Sequence, residues 1–121
     1  MALTRLQHQG NTLSTSYSTL QTATSGLATL GYVVRKIYVT NVISVTSTAT
    51  SVVRDVDVHL VADSSSAVTL NRIWSGSVAP GVGLGIPGPW WGTSGATVQA
   101  RIATSGAGAD VAVRVASFQE T

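Results

Sequence analysis

The cleanest alternation along this chain lies between Val52 and Val61. Val56, Val58 and Leu60 share one parity, and Asp55, Asp57 and His59 the other. Successive side chains of a β-strand point to opposite faces, so a period of two predicts a strand with one face in a core and the other in water. Thr97-Val98-Gln99-Ala100-Arg101-Ile102 and Val111-Ala112-Val113-Arg114-Val115 repeat the alternation, and Ser105-Gly106-Ala107-Gly108-Ala109-Asp110 between them predicts a turn joining an antiparallel pair. The expected core contains Val56, Val58, Leu60, Val98, Ile102, Val111, Val113 and Val115. Tyr32 to Val45 is the strongest apolar stretch, yet it is apolar on both parities, with Val33, Ile37 and Val39 on one and Val34 and Tyr38 on the other. That pattern predicts a strand covered on both sides or set against another subunit.

Val68 to Trp74 predicts another strand, with polar turns at Thr46–Ser51 and Ala62–Ser66 and a connection over Ser75–Gly81. Upstream, Leu13 and Tyr17 are candidate buried positions, and Leu20 to Leu30 holds a loop and a short strand. Residues 1–11 are polar and weakly patterned, and read as an N-terminal arm on a single β-sandwich domain of residues 12–121. Seven or eight strands at this spacing suit an all-β, antiparallel β-sandwich or jelly roll. The pattern does not choose between those connectivities.

Composition narrows the class. Seventeen Val, sixteen Thr, fifteen Ser and twelve Gly stand against one Lys and one Glu, which favours strands and turns over helices. With only 10% charged residues and a net charge of +2, such a surface is covered by Ser, Thr and Gly or by other subunits. No basic cluster stands out along the chain, so no nucleic-acid partner is expected. There is no Cys for a disulfide or thiolate site. No apolar run reaches the roughly 20 residues of a membrane-spanning helix, and the first residues lack the pattern of a signal peptide. The expectation is a soluble protein made in the cytoplasm, with no membrane partner.

Candidate chemistry is thin. Asp55, Asp57 and His59 share a strand face, in a row of the kind that binds a cation, but two carboxylates and one imidazole are too few for a closed site. A solvated face is the expected role. His8 and His59 are the only imidazoles, and no Gly-x-Ser-x-Gly elbow accompanies them. The carboxylates do not suggest a pair across a cleft. Pro80-Gly81-Val82-Gly83-Leu84-Gly85 lacks the Gly-Lys-Ser/Thr and following helix of a phosphate loop, and reads as strand glycines. The expectation is no enzyme, no cofactor and no metal. Trp90 and Trp91 are neighbours, so at most one enters the core easily and the other is partly exposed at the rim or buried by another chain. Arg35, Arg54, Arg72, Arg101 and Arg114 stand singly in strands, where a solvated outer face is the plain reading.

The final third carries a resemblance. Pro80-Gly81-Val82-Gly83-Leu84-Gly85-Ile86-Pro87-Gly88-Pro89-Trp90-Trp91 leads through Gly92-Thr93-Ser94-Gly95 to Ala96-Thr97-Val98-Gln99-Ala100, then to a Gly-rich turn and a Val-alternating strand. This order resembles the C-terminal half of small β-sandwich proteins of tailed-phage virions, with Gly95-Ala96 where those proteins often have Gly-Asp. The resemblance spans roughly residues 30 to 118 and is best from Val78 onward. It implies a virion structural protein, first of all a capsid decoration (cement) protein, commonly a homotrimer seated on the major capsid protein. A neck, tail or fibre-base component is the alternative within that class. A carbohydrate-binding sandwich, with Trp74, Trp90 or Trp91 as stacking platform, is the alternative outside it. The expected interface residues are Tyr32, Tyr38, Trp90, Trp91, Leu3 and Leu6, and the expected location is the virion.

Overall fold

The computed structural model describes residues 3–5, 9–23, 31–42, 53–63, 65–93, 95–104 and 111–120, with side chains described between Leu13 and Ser117. Nine strands run through these residues: β1 (Leu3–Arg5), β2 (Gln9–Thr12), β3 (Ser18–Thr22), β4 (Gly31–Asn41), β5 (Arg54–Val61), β6 (Arg72–Val78), β7 (Gly83–Thr93), β8 (Thr97–Ile102) and β9 (Val111–Glu120). No α-helix occurs among them.

The antiparallel pairs are nested. β2 pairs with β9, β3 with β8, β4 with β7 and β5 with β6. Pairing first with last and inward from there is the connectivity of a jelly roll. The further pairs β4–β9 and β5–β8 assemble two sheets, one ordered β1-β9-β4-β7 with β2 also on β9, the other ordered β3-β8-β5-β6. The expected pair at the chain's end is therefore not a pair. β8 and β9 belong to different sheets, because β8 is held between β3 and β5 and β9 is held by β4.

The segment read as an arm supplies β1 and β2, whose backbones hydrogen bond along β9. Beyond it, the Leu13 N–H donates to the Val111 carbonyl at 2.7 Å, and the Ile102 N–H donates to the Ser14 carbonyl at 2.8 Å. Consecutive residues thus stitch the two sheets together at this edge. Leu13, Leu20 and Ala23 are buried there.

Tyr32, Val33 and Val34 are all buried, so β4 is covered on both sides at its start as expected, and a bulge explains the rest of its two-sided apolar pattern. Its register against both neighbours shifts between Val34 and Lys36, so Arg35 is an extra residue and parity inverts across it. Tyr32 and Val34 enter the core before the bulge, and Ile37 and Val39 after it. The face beyond the bulge carries Lys36, Tyr38 and Thr40. On β7 the same irregularity falls at Gly88-Pro89, so the expected corner is a bulge inside a continuous strand. The core itself is as expected for Val56, Val58, Val98, Ile102, Val111, Val113 and Val115, all buried, whereas Leu60 is half-buried at the rim.

The expected strand Val68–Trp74 begins instead with a 3-10 turn over Thr69–Asn71. Asn71 holds it: Oδ1 accepts from the Val68 N–H at 3.0 Å, and Nδ2 donates to the Ser66 carbonyl at 3.0 Å. An amide side chain serving nearby backbone competes with strand pairing. β6 then runs on to Val78, through part of the expected connection. The turns expected at Thr46–Ser51 and Ser105–Asp110 lie outside the described residues.

Candidate functional site

Among the described residues, the two candidate places are a polar cluster on the outer side of the β3-β8-β5-β6 sheet and an apolar groove at the β6/β7 edge.

The polar cluster is built on β5, whose central position puts β8 on one side and β6 on the other. Asp57 stands opposite Arg101 on β8 and Ser75 on β6, and His59 opposite Gln99 and Arg72. Both Asp57 and His59 are buried, which corrects the expected solvated face. Asp57 Oδ1 accepts from Ser75 Oγ at 2.8 Å, Oδ2 lies 3.4 Å from Arg101 Nε, and Arg72 is 3.9 Å away. Asp55 does stay exposed, accepting from Ser77 Oγ. A residue on the outer face of a central strand is covered by long side chains of both neighbours, and the segments before β3 and β6 add Tyr17 and Asn71 here.

His59 is fixed at both nitrogens. Nδ1 lies 2.8 Å from Asn71 Oδ1 and Nε2 lies 3.1 Å from Tyr17 Oη. The amide oxygen only accepts, so Nδ1 carries a hydrogen, and in the neutral ring Nε2 accepts from the tyrosine hydroxyl. The Tyr17 ring meets the imidazole edge-on at 5.1 Å between centroids, and the Arg101 guanidinium lies 4.7 Å from the Tyr17 ring centroid. Hydroxyl, imidazole and orienting amide have the order of an activated nucleophile. Their positions instead join three separate segments, residues 17, 59 and 71, into a latch over the sheet. Nothing in the sequence spacing signals Tyr17, Asn71 or Arg101 as partners of this strand, since they come from distant stretches. No group of three His, Asp or Glu suited to a metal occurs among the described residues.

The groove lies where the sandwich opens between its edge strands β6 and β7. It has a volume of about 510 Å³, with Leu60, Ile73, Pro89 and Trp90 on its walls and Leu70, Asn71, Arg72 and Trp91 at its rim. Leu70 is 98% exposed and Trp91 68% exposed. Trp90 packs against the core, as the alternation of adjacent tryptophans requires. Trp74 also packs partly against the core, its ring over Gly76 where a Cβ would come within 2.6 Å of it. It is not a free stacking platform.

The expected interface residues therefore separate. Trp91 and Tyr38 are exposed and Trp90 lines the groove. Tyr32 is corrected: it has no exposed surface, and its hydroxyl donates to Gln21 Oε1 inside the sandwich. Gln21 turns inward because β3 carries its own register shift between Thr19 and Gln21, and Ser117 on β9 donates to the same oxygen. Desolvation by burial, opposed by the hydrogen bond with Ser117, pushes the Tyr32 phenol up to about 12. Leu3 lies in β1 but its side chain is outside the described residues, as are Leu6 and His8 altogether.

No protein-family model, no curated protein and no solved structure matches this chain.

Proposed function

We propose that this chain is a structural subunit of a tailed-phage virion, acting as a capsid decoration (cement) protein that covers and ties together shell subunits. The observation that carries this reading is the open β6/β7 edge. Leu70 and Trp91 stand exposed around an apolar groove, while the opposite edge of the same sandwich is sealed by Leu13, Leu20 and Ala23. Apolar side chains that a domain leaves exposed around a groove suit a partner surface. The imidazole and carboxylate that might have done chemistry, His59 and Asp57, are committed to Tyr17, Asn71, Ser75 and Arg101. Self-association as a homotrimer and seating on the major capsid protein belong to this reading, as does a neck or tail position as its variant.

A second reading has one observation in its favour: a groove of this size with tryptophans on it suits a sugar as well. Against it, the nearest amide is spent, because Asn71 already serves Val68, Ser66 and His59. The test is co-sedimentation of the purified protein with phage heads assembled without it, alongside a glycan array. Saturable binding at a fixed stoichiometry is the expected result. A monomer that ignores heads and binds glycans would replace this reading with the carbohydrate module.

A further inference from the structure

From the charge distribution over the two outer faces, we infer that the outer face of the β1-β9-β4-β7 sheet is a docking surface beside the β6/β7 groove, and that its partner is a flat, carboxylate-bearing protein surface. The inference rests on the structural reading above and names the partner of that role.

Three cations project from neighbouring positions of this face: Arg35 and Lys36 at the bulge of β4, and Arg114 on β9 directly opposite Tyr38. Among the described residues, Arg35, Lys36 and Arg114 have no carboxylate partner. The other sheet is different, for Arg72 and Arg101 share Asp57. The carboxylates with described side chains, Asp55, Asp57 and Asp63, all lie on β5 or in the turn after it. Among the described side chains the charges thus divide, with cations lacking a carboxylate partner on one face and the acids on the other. Complementary charge steers encounter and rejects wrong partners.

Shape supports the same partner. The strand positions around the cations include Gly83, Gly85, Pro87, Thr40, Ala112 and Ala116, so the surface is low there, with Trp91 standing above it toward the end of β7. The Lys36 stem lies across Gly85, where a Cβ would fall 2.8 Å from its Cε, and its ammonium sits 5.2 Å from the Tyr38 ring centroid. Beside Arg114 a shallow recess of about 450 Å³ is lined by Tyr38, Thr40, Val42 and Ala112. Val42 is 57% exposed. A recess walled by methyls beside a guanidinium fits an aliphatic side chain next to a carboxylate. A single-stranded nucleic acid needs free aromatic faces along a cationic track. Here Tyr38, which lines the recess, is taken by Lys36, and Trp91 is exposed on the same face but stands alone, so the described side chains form no aromatic series along the cations.

The test compares wild type with Arg35→Gln/Arg114→Gln, and with Thr19→Glu/Thr22→Glu, which makes the same change in net charge at exposed positions of β3. The probes are phage heads assembled without this protein, poly-glutamate beads and single-stranded oligodeoxythymidine, with thermal melting as the folding control. Arg35→Gln/Arg114→Gln should weaken binding to heads and to poly-glutamate by about tenfold, and Thr19→Glu/Thr22→Glu should leave both nearly unchanged. Equal losses in the two variants would show a net-charge effect and overturn the inference. If wild type binds heads and Arg35→Gln/Arg114→Gln binds them equally well, the inference fails and the virion role stands. If wild type ignores heads, that role fails, and with it this partner, whatever poly-glutamate shows. Binding to oligodeoxythymidine with heads ignored would overturn both in favour of a nucleic-acid platform.

Discussion

Replacing Gln21 with Met removes the acceptor at the centre of the interior polar bridge while nearly keeping side-chain length. Gln21 Oε1 receives the hydroxyls of Tyr32 and Ser117, and these join β3 in one sheet to β4 and β9 in the other. Tyr32 and Ser117 are 0% and 1% exposed, so water does not replace the lost acceptor. Tyr32 and Ser117 also hydrogen bond to each other, so one hydroxyl keeps a partner and one buried donor is left unsatisfied, at a cost of about 1–3 kcal/mol. That is a large share of the roughly 5–15 kcal/mol that holds a domain together. At about 4 °C per kcal/mol for a domain of this size, Gln21→Met should lower Tm by about 4–12 °C. Tyr32→Phe alone should cost only about 1 kcal/mol, since Ser117 still serves the oxygen. Gln21→Met/Tyr32→Phe should then be less damaging than the sum, because one orphan has been removed. Thermal and urea melts at neutral pH read all three. Strict additivity, or a Gln21→Met protein melting within about 2 °C of wild type, would refute the bridge. The same residue sets a pH dependence. Because folding raises the phenol from 10.0 to about 12, its contribution is fully present below pH 10 and is lost as the pH rises towards 12. At about 1.4 kcal/mol per unit this amounts to about 3 kcal/mol. A Tyr32→Phe protein should lack that part of the alkaline decline in urea melts between pH 9 and 12.

Other variants probe the core, the latch and the groove. Val113→Asp puts a carboxylate where exposure is 0%, between β2 and β4. It should prevent stable folding, read as loss of the cooperative melt. His59→Ala opens the latch by leaving Asn71 and Tyr17 without their partner. It should cost about 2–3 kcal/mol in urea melts. Asp57→Asn, whose arginine partners are each about 40% exposed, should cost only about 1 kcal/mol. Equal losses in these two variants would contradict the latch. Trp90→Ala should destabilise the fold by about 2–3 kcal/mol, whereas Trp91→Ser should leave Tm nearly unchanged and reduce self-association or head binding, as sedimentation would show.

The alternation in β5, β8 and β9 was legible because it is local. A strand with one face in a core must place Val56, Val58, Val98, Val111, Val113 and Val115 on one parity wherever it sits in the sheet. The split between Trp90 and Trp91 follows from the same geometry. What the strands pair with is not local. β8 and β9 read as a terminal hairpin, and only closure of the whole sandwich assigns them to opposite sheets. The bulges at Arg35 in β4 and between Thr19 and Gln21 in β3 were also invisible. One inserted residue inverts every later side chain, and it makes Tyr32 a core residue rather than a contact for a partner. The alternation that identified β5 also misread Asp57 and His59 as solvated. Facing away from the core means facing water only when nothing lies above the strand. Tyr17 and Asn71, brought there by distant segments, decided otherwise. The same holds for charge, because Arg35, Lys36 and Arg114 become neighbours only when β4 and β9 pair.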